Sequence, residues 1–168
     1  MRWIPLLIIL IVSFLFALYT LFNIKDFNRK RFWFASLLYI TFLGTILFTP
    51  LSFTGTSVFV MPAGTGTVNL HRIYYDLGFV ENIVLTIPLG FLIKRLSSKI
   101  SWVSMIPIGL LTGASIETAQ YFLSHMFYIN RTSDISDVVA NGIGIVIGAT
   151  FMVIYQFVLD KKLLNKWI

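Results

Sequence analysis

An ionisable side chain inside an apolar helix costs roughly 2.5 to 3.5 kcal/mol at mid-bilayer, so each one calls for a partner or a purpose. Glu117 is the clearest such residue here, lying within the apolar run Val103 to Leu123. Gly113, Glu117, Gln120 and Ser124 recur at i, i+4, i+7 and i+11 and make one small, polar stripe on a helix. That stripe must face protein or water and not lipid. Asp134, Asp137 and Asn141, three and four residues apart, form a second stripe at the start of the next apolar run, with Arg131 just before it. Glu81 and Asn82 stand at the start of a further run that contains Pro88. A buried Glu117 with a raised pKa would accept or donate a proton, and Arg131 suits a phosphate or carboxylate. Asp134 and Asp137 offer oxygen ligands at i and i+3, the kind that Mg²⁺ takes.

The same residues have a structural reading. Thr132, Ser133 or Asp134 could cap a helix, and carboxylates in a first turn suit its macrodipole. Buried polar pairs also fix helix register. Capping accounts for Asp134 or Asp137 but leaves Asn141 over, and the convergence of all these groups on one side favours a functional pocket over a purely structural network.

Other signals carry less. The chain has no cysteine, which excludes disulfides, thiolate nucleophiles and Cys-ligated metals. Gly64-Thr65-Gly66-Thr67 is glycine-rich, but no Gly-Lys-Ser/Thr follows and no strand precedes it, so it lacks the form of a phosphate loop. His71 and His125 have no second histidine at helical spacing, and no metal site is assigned. No serine sits in a Gly-x-Ser-x-Gly elbow.

The elements that must position these groups follow from composition. The 168 residues are 57% apolar and only 12% charged, with a mean hydropathy of +0.85, far more apolar than a soluble domain. No linker divides the sequence, so residues 1–168 read as a single membrane domain. A membrane helix needs roughly 20 predominantly apolar residues, and about five runs approach that: Ile4 to Phe22, Phe32 to Phe48, Phe79 to Ile93, Val103 to Leu123 and Val138 to Leu159. The fold class is therefore an all-α integral membrane bundle, with Pro88 expected to kink the third helix. The first run is too long for a signal-peptide core and lacks a small-x-small site, so it reads as a retained helix.

The net charge of +6 lies in clusters between the apolar runs, which records orientation and gives no reason to expect a nucleic-acid partner. Lys25, Arg29, Lys30 and Arg31 fill the first loop, Lys94, Arg95 and Lys99 the third, and Lys161, Lys162 and Lys166 the tail. The positive-inside rule then places the N-terminus outside and the C-terminus in the cytoplasm, against the minor opposing signal of Arg2. The polar groups fall on the outer side. There the loop from Thr49 to Gly78 begins with turn-forming sequence at Thr54-Gly55-Thr56-Ser57. From Asn69, the spacing of Leu70, Ile73, Tyr74 and Leu77 suits an amphipathic helix on the outer surface. Gly144 and Gly148 form a small-xxx-small pair that admits another helix, within one chain or from a second copy in a homodimer.

Three segments resemble the VanZ-like family, named for a membrane protein associated with resistance to teicoplanin. Glu81-Asn82-Ile83-Val84-Leu85-Thr86-Ile87-Pro88-Leu89-Gly90-Phe91 is similar to the family's Asn-x5-Pro-x-Gly signature. Ser115-Ile116-Glu117-x2-Gln120 follows, then Arg131-x2-Asp134-Ile135-x-Asp137-Val138-x2-Asn141-x2-Gly144-x3-Gly148. The order and number of these motifs go beyond shared hydrophobicity, whereas the first 70 residues add little. The resemblance implies a multi-pass protein of the bacterial cell membrane that lowers susceptibility to teicoplanin-type glycopeptides, and it carries no agreed mechanism.

The leading expectation is an outward pocket of Glu117, Gln120, Arg131, Asp134, Asp137 and Asn141, flanked by Glu81 and Asn82, that holds the polar headgroup of a membrane lipid or lipid-linked envelope precursor. A glycopeptide itself is another partner to consider. The first alternative is a metal-assisted enzyme on a lipid-linked phosphate, with Glu117, Asp134 and Asp137 catalytic. The second is a transporter or flippase, favoured by the Pro88 interruption and opposed by the lack of an internal repeat. No cofactor is identified by the sequence.

Overall fold

The structure, a computed structural model, describes residues 1–53 and 56–164. Thr54, Gly55 and Lys166, and the side chains of Lys161 and Lys162, lie outside the described residues. The described chain is mostly helical: α1 (Ile4–Asn23), α2 (Phe27–Phe48), α3 (Leu77–Leu96), α4 (Met105–Phe127) and α5 (Ile135–Leu164). Short strands β1 (Leu51–Phe53), β2 (Val58–Val60), β3 (Val68–Asn69) and β4 (Ser133–Asp134) lie between them. Among the described helices, α1, α2, α3 and the Ile135–Leu159 part of α5 are long and apolar enough to cross a membrane. The sequence suggests five crossings. The difference is α4, which has the length but carries Glu117, Gln120, Ser124 and His125 in its second half.

The chain divides into two compact units, Met1–His71 with Ile116–Asp134, and Arg72–Ser115 with Ile135–Ile168. In the first unit, α1 and α2 form an antiparallel pair. Ser13 and Thr41 share a hydrogen bond of 2.7 Å near the middle of both helices, and the Phe16 and Trp33 rings meet edge to face at 5.9 Å. Asp26 starts α2 by accepting the Arg29 N–H at 2.7 Å, so Arg29, Lys30 and Arg31 belong to the helix and not to a loop. Pro50 prevents α2 from continuing, and Thr49 turns to extended backbone. The chain then makes an antiparallel hairpin of β1 and β2. Farther on, β3 pairs in parallel with β4, preceded by a bridge between Gly64 and Ile129. Gly66, with φ of 72°, lies against the Arg131 carbonyl so closely that a Cβ would collide with it.

In the second unit, Asp76 caps α3 by accepting the Phe79 N–H at 3.0 Å. Helix α3 runs through Pro88 without a break. Its pairing with α5 advances in the same direction on both, from Thr86 on Asn141 to Ile87 and Phe91 on Gly148. The start of α4 runs the other way along α5, Gly109 facing Gly142 and Gly113 facing Val138. This alternation is what consecutive helices joined by short connections must adopt. Gly90, Gly144 and Gly148 bring the backbones of α3 and α5 together, so the Gly144/Gly148 pair serves packing within the chain. Met105, Ile145 and Ala149 form a buried apolar cluster, with Leu89, Ile93, Ile100 and Ile108 against it.

The amphipathic helix expected from Asn69 does not form. Val68–Asn69 is a strand, and residues 70–76 are bends and irregular chain up to the start of α3. Backbone groups there find partners other than an i−4 carbonyl. The His71 N–H goes to Asn69 Oδ1 at 3.3 Å, and in the second unit the Tyr74 N–H goes to Ser136 Oγ at 2.9 Å.

Candidate functional site

A helix leaves its last four carbonyls without intrahelical partners. At the end of α2, the Thr45 carbonyl takes the hydroxyl of Thr49 at 2.6 Å, and the Leu47 carbonyl takes Gln120 Nε2 at 3.1 Å. The Ile46 carbonyl takes the guanidinium of Arg131, which also donates to the carbonyls of Thr49, at 3.2 Å, and Leu51. One planar fork thus holds three carbonyls where the chain leaves the helix, a task suited to arginine. Ser124 fixes Arg131 in turn: its Oγ accepts the Arg131 N–H at 2.8 Å and donates to the Arg131 carbonyl at 3.2 Å. Tyr128 and Asn130, at φ of 55° and 63°, make the tight turn between Ser124 and Arg131.

Burial pushes the Arg131 guanidinium below its ordinary pKa, and the negative charge of Glu117 pulls it back. Glu117 itself is only 6% exposed. Its Oε2 accepts the backbone N–H of Asp134 at 3.0 Å, and its own carbonyl accepts Ser133 Oγ at 3.0 Å. Asp134 Oδ1 accepts Asn69 Nδ2 at 2.9 Å. The first unit therefore brings Glu117, Gln120, Ser124, Arg131 and Asp134 together, and adds Thr49 and Asn69. These contacts are structural in kind. They hold the end of α2 and the segment 64–69 to the chain between α4 and α5.

The second unit carries Glu81, Asn82, Asp137 and Asn141. Asn82 gives its carbonyl to the Thr86 hydroxyl at 2.7 Å, and that hydroxyl also lies 3.2 Å from the Asn141 carbonyl. Asp137 stands in the first turn of α5, where a carboxylate suits the macrodipole. Asn141 is 1% exposed, and neither Nδ2 nor Oδ1 has a hydrogen-bond partner in the protein. Glu81 Oε1 is likewise buried without one. An amide has two donor hydrogens and two acceptor lone pairs, and leaving such a group buried and unpaired costs about 1–3 kcal/mol. Chemically, an orphaned amide suits a group that both donates and accepts, such as a sugar hydroxyl or another amide.

Thr49, Asn69 and Thr86 are site residues that the sequence did not flag. Thr86 had a signal available, because Asn82 and Thr86 share a helix face at i and i+4. Asn69 had none, since its link to Asp134 depends on the parallel register of β3 and β4. Among the described residues no group of three or more His, Asp or Glu could hold a metal ion.

A family model described as VanZ/LLP1 matches residues 3–156, which takes in α1 to α4, most of α5 and every candidate site residue named above. No curated protein and no solved structure matches the chain.

Proposed function

The chain belongs to the VanZ/LLP1 family, and on that premise we propose that it is a multi-pass protein of the bacterial cell membrane that lowers susceptibility to teicoplanin-type glycopeptides by binding a polar envelope headgroup. In this reading α4 is a fifth crossing, tolerated despite Glu117 because that carboxylate has partners within the protein. The N-terminus lies outside, the C-terminus in the cytoplasm, and the starts of α3 and α5 face outward. Membrane lipids or a lipid-linked precursor supply the headgroup.

The observation that carries the proposal is the Asn141 amide, buried to 1% exposure and unpartnered. A purely structural asparagine at that depth would be hydrogen-bonded, because buried polar groups almost always are. Glu81, Asn82 and Asp137 belong to the same unit and are proposed to contribute to binding. Glu117, Gln120, Arg131 and Asp134 are proposed as framework of the first unit, where they hydrogen-bond to backbone groups and to Asn69.

The test separates binding from stability. Asn141→Leu removes an unsatisfied amide from a buried position, so it should keep or raise thermal stability in detergent. If Asn141 binds ligand, the same change abolishes protection of a susceptible host from teicoplanin at matched expression. Asn141→Ala, which relieves any overpacking by leucine, should lose protection too. Full protection by either variant sinks the proposal.

A further inference from the structure

Among the described residues, the hairpin that follows α2 presents an apolar face that is largely exposed. In an antiparallel pair, directly opposed residues point to the same side of the ribbon. Leu51 pairs with Val60 and Phe53 with Val58, so these four apolar residues share one face; Ser52 and Phe59 share the other. Val58 is 66% exposed, Val60 50% and Phe53 38%. A two-stranded hairpin is at best marginally stable alone in water, and an exposed apolar ribbon is an aggregation site.

Its base is tied to the level at which two apolar helices begin and end. The Pro50 carbonyl, two residues past α2, accepts the Met61 N–H at 2.8 Å. Arg2, at the start of α1, donates its guanidinium to the Met61 carbonyl, and Arg131 donates to the Leu51 carbonyl. The exposed apolar surface of those helices, including Leu7, Ile8 and Leu38 at 58%, 52% and 74% exposed, is thus continuous in the chain with the apolar ribbon.

From this we infer that the β1–β2 hairpin is a lipid-contacting element that lies in the interfacial layer of the bilayer. Depth follows from two opposing requirements. The apolar face leaves water readily, at roughly 25 cal/mol per Å² of apolar surface covered. The outer edges of a two-stranded ribbon carry N–H and C=O groups with no third strand to pair them, and beyond Leu51, which Thr49 and Arg131 hold, this forbids the hydrocarbon core. Strands of three residues reach only about 10 Å, and the headgroup layer is roughly 5–8 Å thick on each side. A ribbon anchored at the boundary therefore lies obliquely in that layer, apolar face toward the acyl chains. This inference depends on α1 and α2 crossing the membrane and is independent of the Asn141 site.

The lack of cysteine in the chain makes the test direct. Val58→Cys and Val60→Cys, each carrying an environment-sensitive fluorophore, are placed in lipid vesicles, with Thr65→Cys as an exposed reference. The expected result is blue-shifted emission at both ribbon positions, cut roughly in half by a lipid nitroxide high on the acyl chain. Quenching should be weaker from a nitroxide near the chain's methyl end, and iodide in the water should act mainly on the Thr65 label. Water-like emission at both positions overturns the inference. So does blue-shifted emission that no lipid nitroxide quenches, because a second copy or another protein would then cover the face.

Discussion

Arg131 gives its donors to the end of α2, and this determines what its replacement does. A lysine carries a compact ammonium in place of a planar fork, and it cannot serve the carbonyls of Ile46, Thr49 and Leu51 together. Arg131→Lys is therefore expected to destabilise the protein by about 2–4 kcal/mol, through lost hydrogen bonds and carbonyls left buried. Gln120→Leu, which orphans only the Leu47 carbonyl, should cost about 1–3 kcal/mol. Both are read as a lower thermal-unfolding midpoint in detergent, and an unchanged midpoint for Arg131→Lys would refute the clamp. The polar stripe of Glu117, Gln120 and Ser124 was legible in the sequence because helical spacing shows which side must avoid lipid. The partners were not. They are backbone N–H and C=O groups, of Asp134, Leu47 and Arg131, which every sequence possesses and no pattern marks.

At the scale of elements, the close contact of α3 with α5 depends on glycine. A Cβ at Gly148 would collide with the Ile87 carbonyl and crowd the Phe91 N–H, both backbone groups that cannot swing aside. Gly148→Ala should then cost about 1–3 kcal/mol as overpacking, and Gly148→Leu should prevent accumulation of folded protein. Equal expression and stability of Gly148→Leu would contradict this packing. The small-xxx-small spacing made the contact legible, though not its partner helix. Helix bodies were legible as well, since apolar runs near 20 residues leave little choice, but the ends were not. The start of α2 at Phe27 was hidden by the basic residues Arg29 to Arg31, which look like loop until Asp26 is recognised as the cap. The segment from Asn69 read as a helix because periodicity reports which residues could share a face. It cannot report that Asn69 prefers Asp134 and the His71 N–H. The β1–β2 hairpin gave no alternating pattern, because its strands are only three residues long.

At the scale of the whole molecule, the proposed arrangement is one of orientation: five crossings, with the basic clusters inside. Single cysteines in the cysteine-free chain test it. A membrane-impermeant thiol reagent added to intact cells should label Tyr75→Cys, at a position 79% exposed, and leave Asn28→Cys unlabelled until the cells are opened. The reverse pattern would invert the topology and turn the starts of α3 and α5 inward. The central claim, that the buried amide of Asn141 exists for a ligand, is tested most directly by native mass spectrometry of the detergent-extracted protein. Wild-type protein is predicted to carry a polar lipid or envelope precursor as a discrete added mass, and Asn141→Leu, folded and monodisperse, is predicted to lose it. An identical spectrum of bound species for the two proteins would contradict the account.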